Sequence, residues 1–214
     1  MNEATRLFVV RHGETAWNAD KRIQGHTDIG LNARGRWQAR CVASALAGEG
    51  LEAVYSSDLL RAAETAAAIA AAAGRAVVHD LGLRERAFGH FEGLTYDEIR
   101  RRHPEGAERW RRRDPAFGPE GGERLLDFSD RCVATALRLA ARHPGQAVAL
   151  VAHGGVLDCL YRAATRIGLD APRTWQLGNA SINRLLHADG ALVLVGWGDA
   201  AHLEGEAAAD DTSA

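Results

Sequence analysis

The expected architecture follows from one segment, Leu7-Phe8-Val9-Val10-Arg11-His12-Gly13-Glu14-Thr15. An apolar run with β-branched residues ends there at a cation, an imidazole and a glycine, which is typical of a buried strand that opens into a loop. In open α/β sheets, ligands bind beyond the carboxyl ends of the strands, so Arg11 and His12 are expected at a binding edge. Because burial of an unpaired polar group is costly, this pair must be hydrogen-bonded or used in function.

The rest of the chain alternates short apolar runs with helical patterns. We expect strands at about 7–10, 53–57, 76–78, 147–152, 181–186 and 191–195, and helices at about 32–46, 59–73, 96–102, 123–142 and 156–167. Asp189-Gly190 between the last two strands is a two-residue hairpin signal. The pattern predicts an α/β fold in three layers, with a mostly parallel sheet, helices on both faces and an antiparallel C-terminal hairpin.

Several segments carry no regular pattern. Residues 16–30 are expected to form a loop, and Asp58 is expected to cap the helix that follows it. We expect one domain over residues 1–198, with a lid-like excursion at about 94–122 whose Arg-rich part, 105–122, is broken by prolines and glycines. The acidic, apolar-poor end at 199–214 is expected to be a disordered tail.

Composition narrows the function classes. The 214 residues include 46% hydrophobic and 25% charged residues, with a net charge of -2, as in an ordinary soluble globular protein. The charge argues against general nucleic-acid binding, and neither a signal peptide nor a membrane-spanning run is visible. Cys41, Cys132 and Cys159 are widely spaced and odd in number, so they predict neither a disulfide framework nor a zinc site. We expect a cytoplasmic protein with no membrane or nucleic-acid partner.

A second strand end repeats the chemistry of the first. The run 147–152 ends in His153-Gly154, and Arg61 lies near the start of a helix that follows another strand. Cations, imidazoles and a helix N-terminus at one sheet edge predict a pocket for a dianion such as phosphate. The sequence contains neither a Walker-type glycine loop nor an HExxH motif, so neither a nucleotide loop nor a metal site is expected. If phosphate chemistry occurs, His12 is the side chain placed centrally to act as nucleophile.

These motifs resemble those of the histidine phosphatase superfamily, which includes the cofactor-dependent phosphoglycerate mutases. The block Arg11–Thr15 is similar to the family signature, and Asn18 and Gln24-Gly25 stand where that family places phosphate contacts. The later blocks of the resemblance, in the family's order, are 57–62, 83–93 and 151–155. The resemblance covers residues 6 to about 196, which is nearly the whole chain.

The resemblance implies specific roles. His12 would form a phosphohistidine, while Arg11, Arg61 and His153 would bind the phosphoryl oxygens and Glu85 would move the proton. Further phosphate contacts would come from Asn18, Gln24, Gly25 and Gly154. No cofactor and no metal are implied.

Each assignment has a structural alternative. His12 and His153 could be strand-end histidines, Arg61 a surface arginine, and Glu85 an ion-pair partner of its flanking arginines. Asn18 and Gln24 could be ordinary polar loop residues. The other histidines are expected to be solvated or core side chains. The arginine run 111–113 is expected to be solvated, with contact to the substrate as the alternative.

The expected activity is hydrolysis of small phosphomonoesters such as sugar phosphates or phosphoglycerates. The segment 93–122 is short and lacks lysine, whereas mutases of the family have a longer insertion containing one, so phosphatase activity is favoured over mutase activity. The sequence is also compatible with a non-catalytic phospho-ligand binder and with a metal-dependent hydrolase, although it favours neither. The expected partner is a small phosphorylated metabolite, and a homodimer is possible because dimers are common among such relatives.

Overall fold

A six-stranded sheet organises the protein, of which the computed structural model describes residues 3–204. The strands are β1 (Thr5–Arg11), β2 (Leu51–Ser56), β3 (Val77–His79), β4 (Ala147–Ala152), β5 (Ile182–Ala188) and β6 (Ala191–Asp199). Their order is β3-β2-β4-β1-β5-β6, with β1 to β4 parallel and β5 and β6 antiparallel. The predicted parallel sheet and C-terminal hairpin are confirmed.

Helices cover both faces of the sheet. They are α1 (Ala16–Ala19), α2 (Ala33–Leu46), α3 (Leu60–Ala73), α4 (Tyr96–Arg102), α5 (Pro104–Arg111), α6 (Leu125–Ala140) and α7 (Gly154–Thr165). Successive residues of β1 alternate between two cores: Leu7 and Val9 pack with α6 and α7, and Phe8 and Val10 pack with α2 and α3. This alternation explains why the central strands are apolar on both faces.

The strand register brings the two His-Gly motifs together. In the β1–β4 pair, Arg11 lies opposite Ala152. The next residues, His12 and His153, therefore leave the sheet at the same level of two neighbouring strands.

The excursion at 94–122 is more regular than expected. The segment 105–122 was predicted to lack regular structure, but α5 begins at Pro104, where a proline without an N–H fits the first helical turn. Phe91, Ile99, Ala107 and Phe117 bury this excursion in a small core of its own.

Two local predictions near the site are wrong. Residues 16–19 form α1 rather than loop, because Thr15 and Asn18 make a reciprocal capping box. Asp58 does not cap α3: its carboxylate pairs with Arg84, and Asp28 Oδ1 accepts a 2.7 Å hydrogen bond from the Leu60 N–H instead.

The predicted start of the disordered tail, at residue 199, lies too early in the sequence. Asp199 ends β6 and its carboxylate lies 2.7 Å from Arg184 Nη1, while His202 Nε2 lies 3.0 Å from the Ala180 carbonyl oxygen. Residues 199–204 are therefore folded, and 205–214 lie outside the described residues. Within the described range, no helix is both long and apolar enough to span a bilayer.

Candidate active site

His12 is oriented by the backbone immediately after β1. The side chain is 3% exposed, and its Nδ1 lies 2.7 Å from the Gly13 carbonyl oxygen. A carbonyl can only accept, so Nδ1 carries the proton and Nε2 carries the lone pair. Asn179 Nδ2 donates to the His12 carbonyl oxygen at 3.0 Å and fixes the backbone. The ring is thus held in the tautomer that a nitrogen nucleophile requires.

His153 lies beside that ring. The two ring centroids are 5.2 Å apart and the planes are tilted by 58°. His153 is fully buried, and neither of its ring nitrogens has a hydrogen-bond partner within residues 3–204. Buried polar groups are usually paired, so both ring nitrogens of His153 keep unused hydrogen-bonding capacity.

Both imidazoles are neutral. Burial is the largest effect that lowers the pKa of His12 well below 6.5, and the charges of Arg11 and Arg61 lower it further. Burial followed by the Arg61 charge does the same to the pKa of His153. A neutral His12 keeps its lone pair, and a neutral His153 still offers one N–H donor.

Two arginines, Arg61 fully buried and Arg11 half-buried, complete the cationic wall. Arg61 Nη2 donates to the Gly25 carbonyl oxygen at 2.8 Å and its Nη1 to that of Thr27 at 3.1 Å. Arg11 Nη1 donates to the Leu177 carbonyl oxygen. The Nε atoms of both arginines are buried and have no partner in the described chain. Burial lowers the pKa of Arg11 to about 10, so its guanidinium is still charged at neutral pH.

Glu85 is the carboxylate of the site. Its Oε1 accepts from the Arg86 backbone N–H at 2.9 Å and its Oε2 from the Gly155 N–H at 3.0 Å. The alternative in which Glu85 pairs with its flanking arginines is not observed: Arg84 binds Asp58, and Arg86 contacts Glu85 through its backbone. Each carboxylate oxygen keeps a second lone-pair position.

Arg11, His12, Arg61 and Glu85 line a cavity of about 180 Å³, here called the phosphate cavity, whereas the fully buried His153 lies behind His12 and lines neither this cavity nor its neighbour. Of the predicted site residues its wall contains Arg11, His12, Asn18, Gln24, Gly25, Arg61 and Glu85. A neighbouring cavity of about 610 Å³, here called the outer cavity, shares Arg11, Glu85 and Phe88 with it. Gly154 lines the outer cavity rather than the phosphate cavity.

The two amide side chains are oriented as donors. Asn18 Oδ1 accepts from the Thr15 N–H at 3.1 Å and from Asn179 Nδ2 at 3.2 Å. Gln24 Oε1 accepts from Thr15 Oγ1 at 3.1 Å. Since both amide oxygens are used, the NH₂ groups are the atoms that remain for a ligand.

Three contributing residues escaped the sequence analysis. Glu92 accepts hydrogen bonds from the backbone of residues 26, 27 and 88 and so holds the loop whose carbonyls bind Arg61. His26, which was expected to be a solvated or core side chain, is half-buried, and its Nε2 lies 2.8 Å from the Glu85 carbonyl oxygen. Asn179 arrives from the segment before β5, which carries no local signal.

The site can bind a tetrahedral dianion. Several N–H donors and two cations converge on a neutral imidazole, and one carboxylate lies at the boundary with the outer cavity. Charge-assisted donors aimed at one small cavity are suited to phosphoryl oxygens. Among the described residues, no group of three or more His, Cys, Asp or Glu side chains could hold a metal ion.

Comparisons with known proteins agree with this geometry. A family model described as "Histidine phosphatase superfamily (branch 1)" matches residues 7–200. The chain is 43% identical to "Phosphoglycerate mutase-like protein 4" of Arabidopsis thaliana over 92% of this chain and 86% of that protein. It is 37% identical to "Metal-independent phosphoserine phosphatase" of Arabidopsis thaliana over 94% of this chain and 84% of that protein.

A solved structure is similar over almost the same length. The mycobacterial glucosyl-3-phosphoglycerate phosphatase superimposes with a TM-score of 0.80 and 33% identity, covering 91% of this chain and 99% of that one. The resemblance drawn from the motifs is confirmed.

Proposed function

The chain belongs to the histidine phosphatase superfamily, and on that premise we propose that it is a metal-independent phosphomonoester hydrolase acting on small phosphorylated metabolites. The observation that carries the proposal is the His12 ring. Its Nδ1 is committed to the Gly13 carbonyl, so its Nε2 is available in a cavity walled by Arg11 and Arg61.

In the first step, His12 Nε2 attacks phosphorus and the bond from phosphorus to the leaving oxygen breaks. Glu85, in its protonated form, gives its proton to that oxygen, so the leaving group departs as a neutral alcohol. The position of Glu85 in the walls of both cavities supports this role. The product of the step is a phosphohistidine and a Glu85 carboxylate.

In the second step, water attacks the phosphohistidine. Glu85 takes a proton from the water, the bond between phosphorus and Nε2 breaks, and inorganic phosphate leaves. His12 returns to its neutral form, with its Nδ1–H still donated to the Gly13 carbonyl oxygen. One carboxyl group therefore serves as acid and then as base.

The remaining residues stabilise the transferring group. Arg11, Arg61 and His153 bind its equatorial oxygens, and Asn18 and Gln24 donate through their amide groups. Each hydrogen bond to a charged group contributes about 1.5–3 kcal/mol, so their sum accounts for several orders of magnitude in rate. At Gly25 the backbone φ is +53° and a Cβ would overlap the Glu92 carboxylate, so only glycine fits there, while Gly154 at the start of α7 lines the outer cavity.

Phosphoglycerate mutase activity is the second candidate, because several relatives carry mutase or mutase-like names. Transfer back to an acceptor requires the phosphohistidine to be kept from water. Mutases of the family have a lysine in the corresponding insertion, whereas the segment 94–122, which borders the site, contains no lysine. We therefore favour transfer to water.

The test is a panel of phosphomonoesters, including 3-phosphoglycerate, assayed with the wild-type enzyme and with His12→Ala. We expect inorganic phosphate from the wild type, none from the variant, and unchanged rates in the presence of a strong chelator. Accumulation of 2-phosphoglycerate would establish the mutase instead. Tight phosphate binding without turnover would identify a binding protein, and loss of activity with the chelator would identify a metal-dependent hydrolase.

A further inference from the structure

The outer cavity is where the leaving group must lie if the proposed function is correct. It adjoins the phosphate cavity at Arg11, Glu85 and Phe88, and its volume is about 610 Å³. A leaving oxygen next to Glu85 therefore places the rest of the substrate in this space. The groups that line it determine which alcohols the enzyme accepts.

Two arginines that line the outer cavity, Arg86 and Arg113, already have hydrogen-bond partners within the protein. Arg86 Nε donates to the Glu123 carbonyl oxygen at 3.0 Å and its Nη2 to that of Phe117 at 2.6 Å. Arg113 binds the Leu169 carbonyl oxygen at 2.7 Å and the Asp158 carboxylate. Arg113 differs in this from the two arginines before it in the run 111–113, which pair with Glu108 at the surface. These cations build the wall through contacts within the protein.

Two buried polar atoms of the wall lack a partner among the residues that the structure describes. Asp158 is 4% exposed, and its Oδ2 is shared by Arg113 and Arg162, yet its Oδ1 accepts no hydrogen bond. The indole Nε1 of Trp175 is likewise buried and donates to nothing. Both residues line the outer cavity, so its wall contains one unpaired acceptor and one unpaired donor, which are costly to bury unless a ligand pairs with them.

A third buried atom near the cavity, Arg162 Nη2, also lacks a hydrogen-bond partner, but it does not need a ligand to explain it. Its guanidinium carbon, however, lies 4.8 Å from the centroid of the Trp175 ring, which is a cation–π contact. This contact and the Asp158 ion pair fix the two unpaired groups relative to each other.

Only a group that both donates and accepts matches this pair. An ammonium group would satisfy Asp158 alone, and a carboxylate would satisfy Trp175 alone, whereas a hydroxyl is both donor and acceptor. Aromatic side chains also line the cavity: Phe88, Trp110, Phe128 and Trp175. We propose that Asp158 and Trp175 form a subsite that binds a hydroxyl group of the leaving alcohol.

The first test compares substrates of matched size on the wild-type enzyme. Glycerol 3-phosphate carries the extra hydroxyls, 1-propyl phosphate lacks them, and phosphoethanolamine carries an ammonium group. We expect kcat/KM for glycerol 3-phosphate to exceed that for either of the others by at least about tenfold. Equal values, or a preference for phosphoethanolamine, would overturn the inference.

The second test changes the subsite. In Asp158→Asn, Arg113 and Arg162 should hold the amide oxygen, so the amide NH₂ replaces the acceptor at the Oδ1 position. We expect the preference for glycerol 3-phosphate over propyl phosphate to fall about tenfold. Trp175→Phe keeps the aromatic ring but removes the N–H, and it should lower the same ratio even if the Asp158 variant does not fold.

The matched control is Arg113→Gln, which weakens the ion pair but leaves Asp158 Oδ1 in place. Its preference ratio should stay close to that of the wild type. Ratios that change equally in all three variants would indicate a structural role for Asp158 and overturn the subsite.

Hydrolysis of p-nitrophenyl phosphate separates the two proposals. Activity on this ester without a hydroxyl preference overturns the subsite alone, and no activity on any ester overturns the phosphatase as well.

Discussion

At the scale of single residues, Glu92 shows how the site is held from outside. Burial acts to raise the pKa of this carboxyl, but hydrogen bonds from Thr27, His26 and Phe88 together keep it below its ordinary value. The loop that Glu92 holds supplies the Gly25 and Thr27 carbonyls that bind Arg61. Glu92 is therefore a positioning residue for a phosphate-binding cation, although it does not line the phosphate cavity.

Replacing Glu92 by Gln should disturb that loop. The amide NH₂ cannot accept from the backbone N–H groups, so we expect a loss of about 1–3 kcal/mol in the free energy of unfolding. The kcat/KM for a phosphomonoester should fall as well, because Arg61 loses its support. Denaturant unfolding and steady-state kinetics measure the two effects. The exposed Glu105→Gln is the control, and equal behaviour of the two variants would contradict this role.

At the scale of elements, the start of α7 fixes Glu85, the proposed catalytic carboxylate. Gly155 donates its N–H to Glu85, and a Cβ at Gly155 would lie 2.2 Å from Glu85 Oε1 and 3.1 Å from Phe128 Cε1. The Glu85 carboxylate can contact the start of α7 only because Gly155 has no side chain.

Gly155→Ala should therefore displace Glu85. We expect kcat/KM for an alkyl phosphate, which reports the first step, to fall by about 10²-fold or more, in line with the usual contribution of general acid catalysis. The kcat/KM for p-nitrophenyl phosphate should fall less, since its leaving group needs little protonation. Gly48→Ala is the control, because nothing lies within 4 Å of a Cβ at that position. A fall of equal size with both substrates would argue against a proton-transfer role for Glu85.

The elements also show what the sequence could and could not predict. The strand that ends at Arg11 and the strand that ends just before His153 were predicted because a long apolar run followed by His-Gly is a local signal. The short helix α1 and the cap of α3 were missed, since α1 depends on one side-chain pair and the cap comes from Asp28, which is distant in sequence. Asn179 was missed for a similar reason, because only the strand order brings its loop to His12.

At the scale of the whole molecule, two buried neutral imidazoles make stability depend on pH. In the unfolded chain His12 and His153 take up protons below their ordinary pKa of 6.5, whereas in the folded protein both pKa values are lowered well below it. The unfolded state then binds more protons, so the free energy of unfolding falls as the pH falls below 6.5.

Each histidine should contribute a slope of roughly 1.4 kcal/mol per pH unit below that point. Chemical denaturation in phosphate-free buffer between pH 7 and pH 5 measures it. The double variant His12→Asn/His153→Asn should show a clearly shallower decline than the wild type. Parallel curves would mean that these imidazoles are not held neutral by the fold.

The most direct test of the account is to trap the phosphoryl group on the protein. A Glu85→Gln variant mixed with p-nitrophenyl phosphate should release one equivalent of nitrophenol in a burst, because the first step then needs no acid while the second lacks its base. Peptide mapping after an alkaline quench should find an acid-labile phosphoryl group on His12, and His12→Ala should carry none. Two results would contradict the account. One is steady turnover by the wild type while no phosphoryl group is found on His12, and the other is a phosphoryl group found on a different residue.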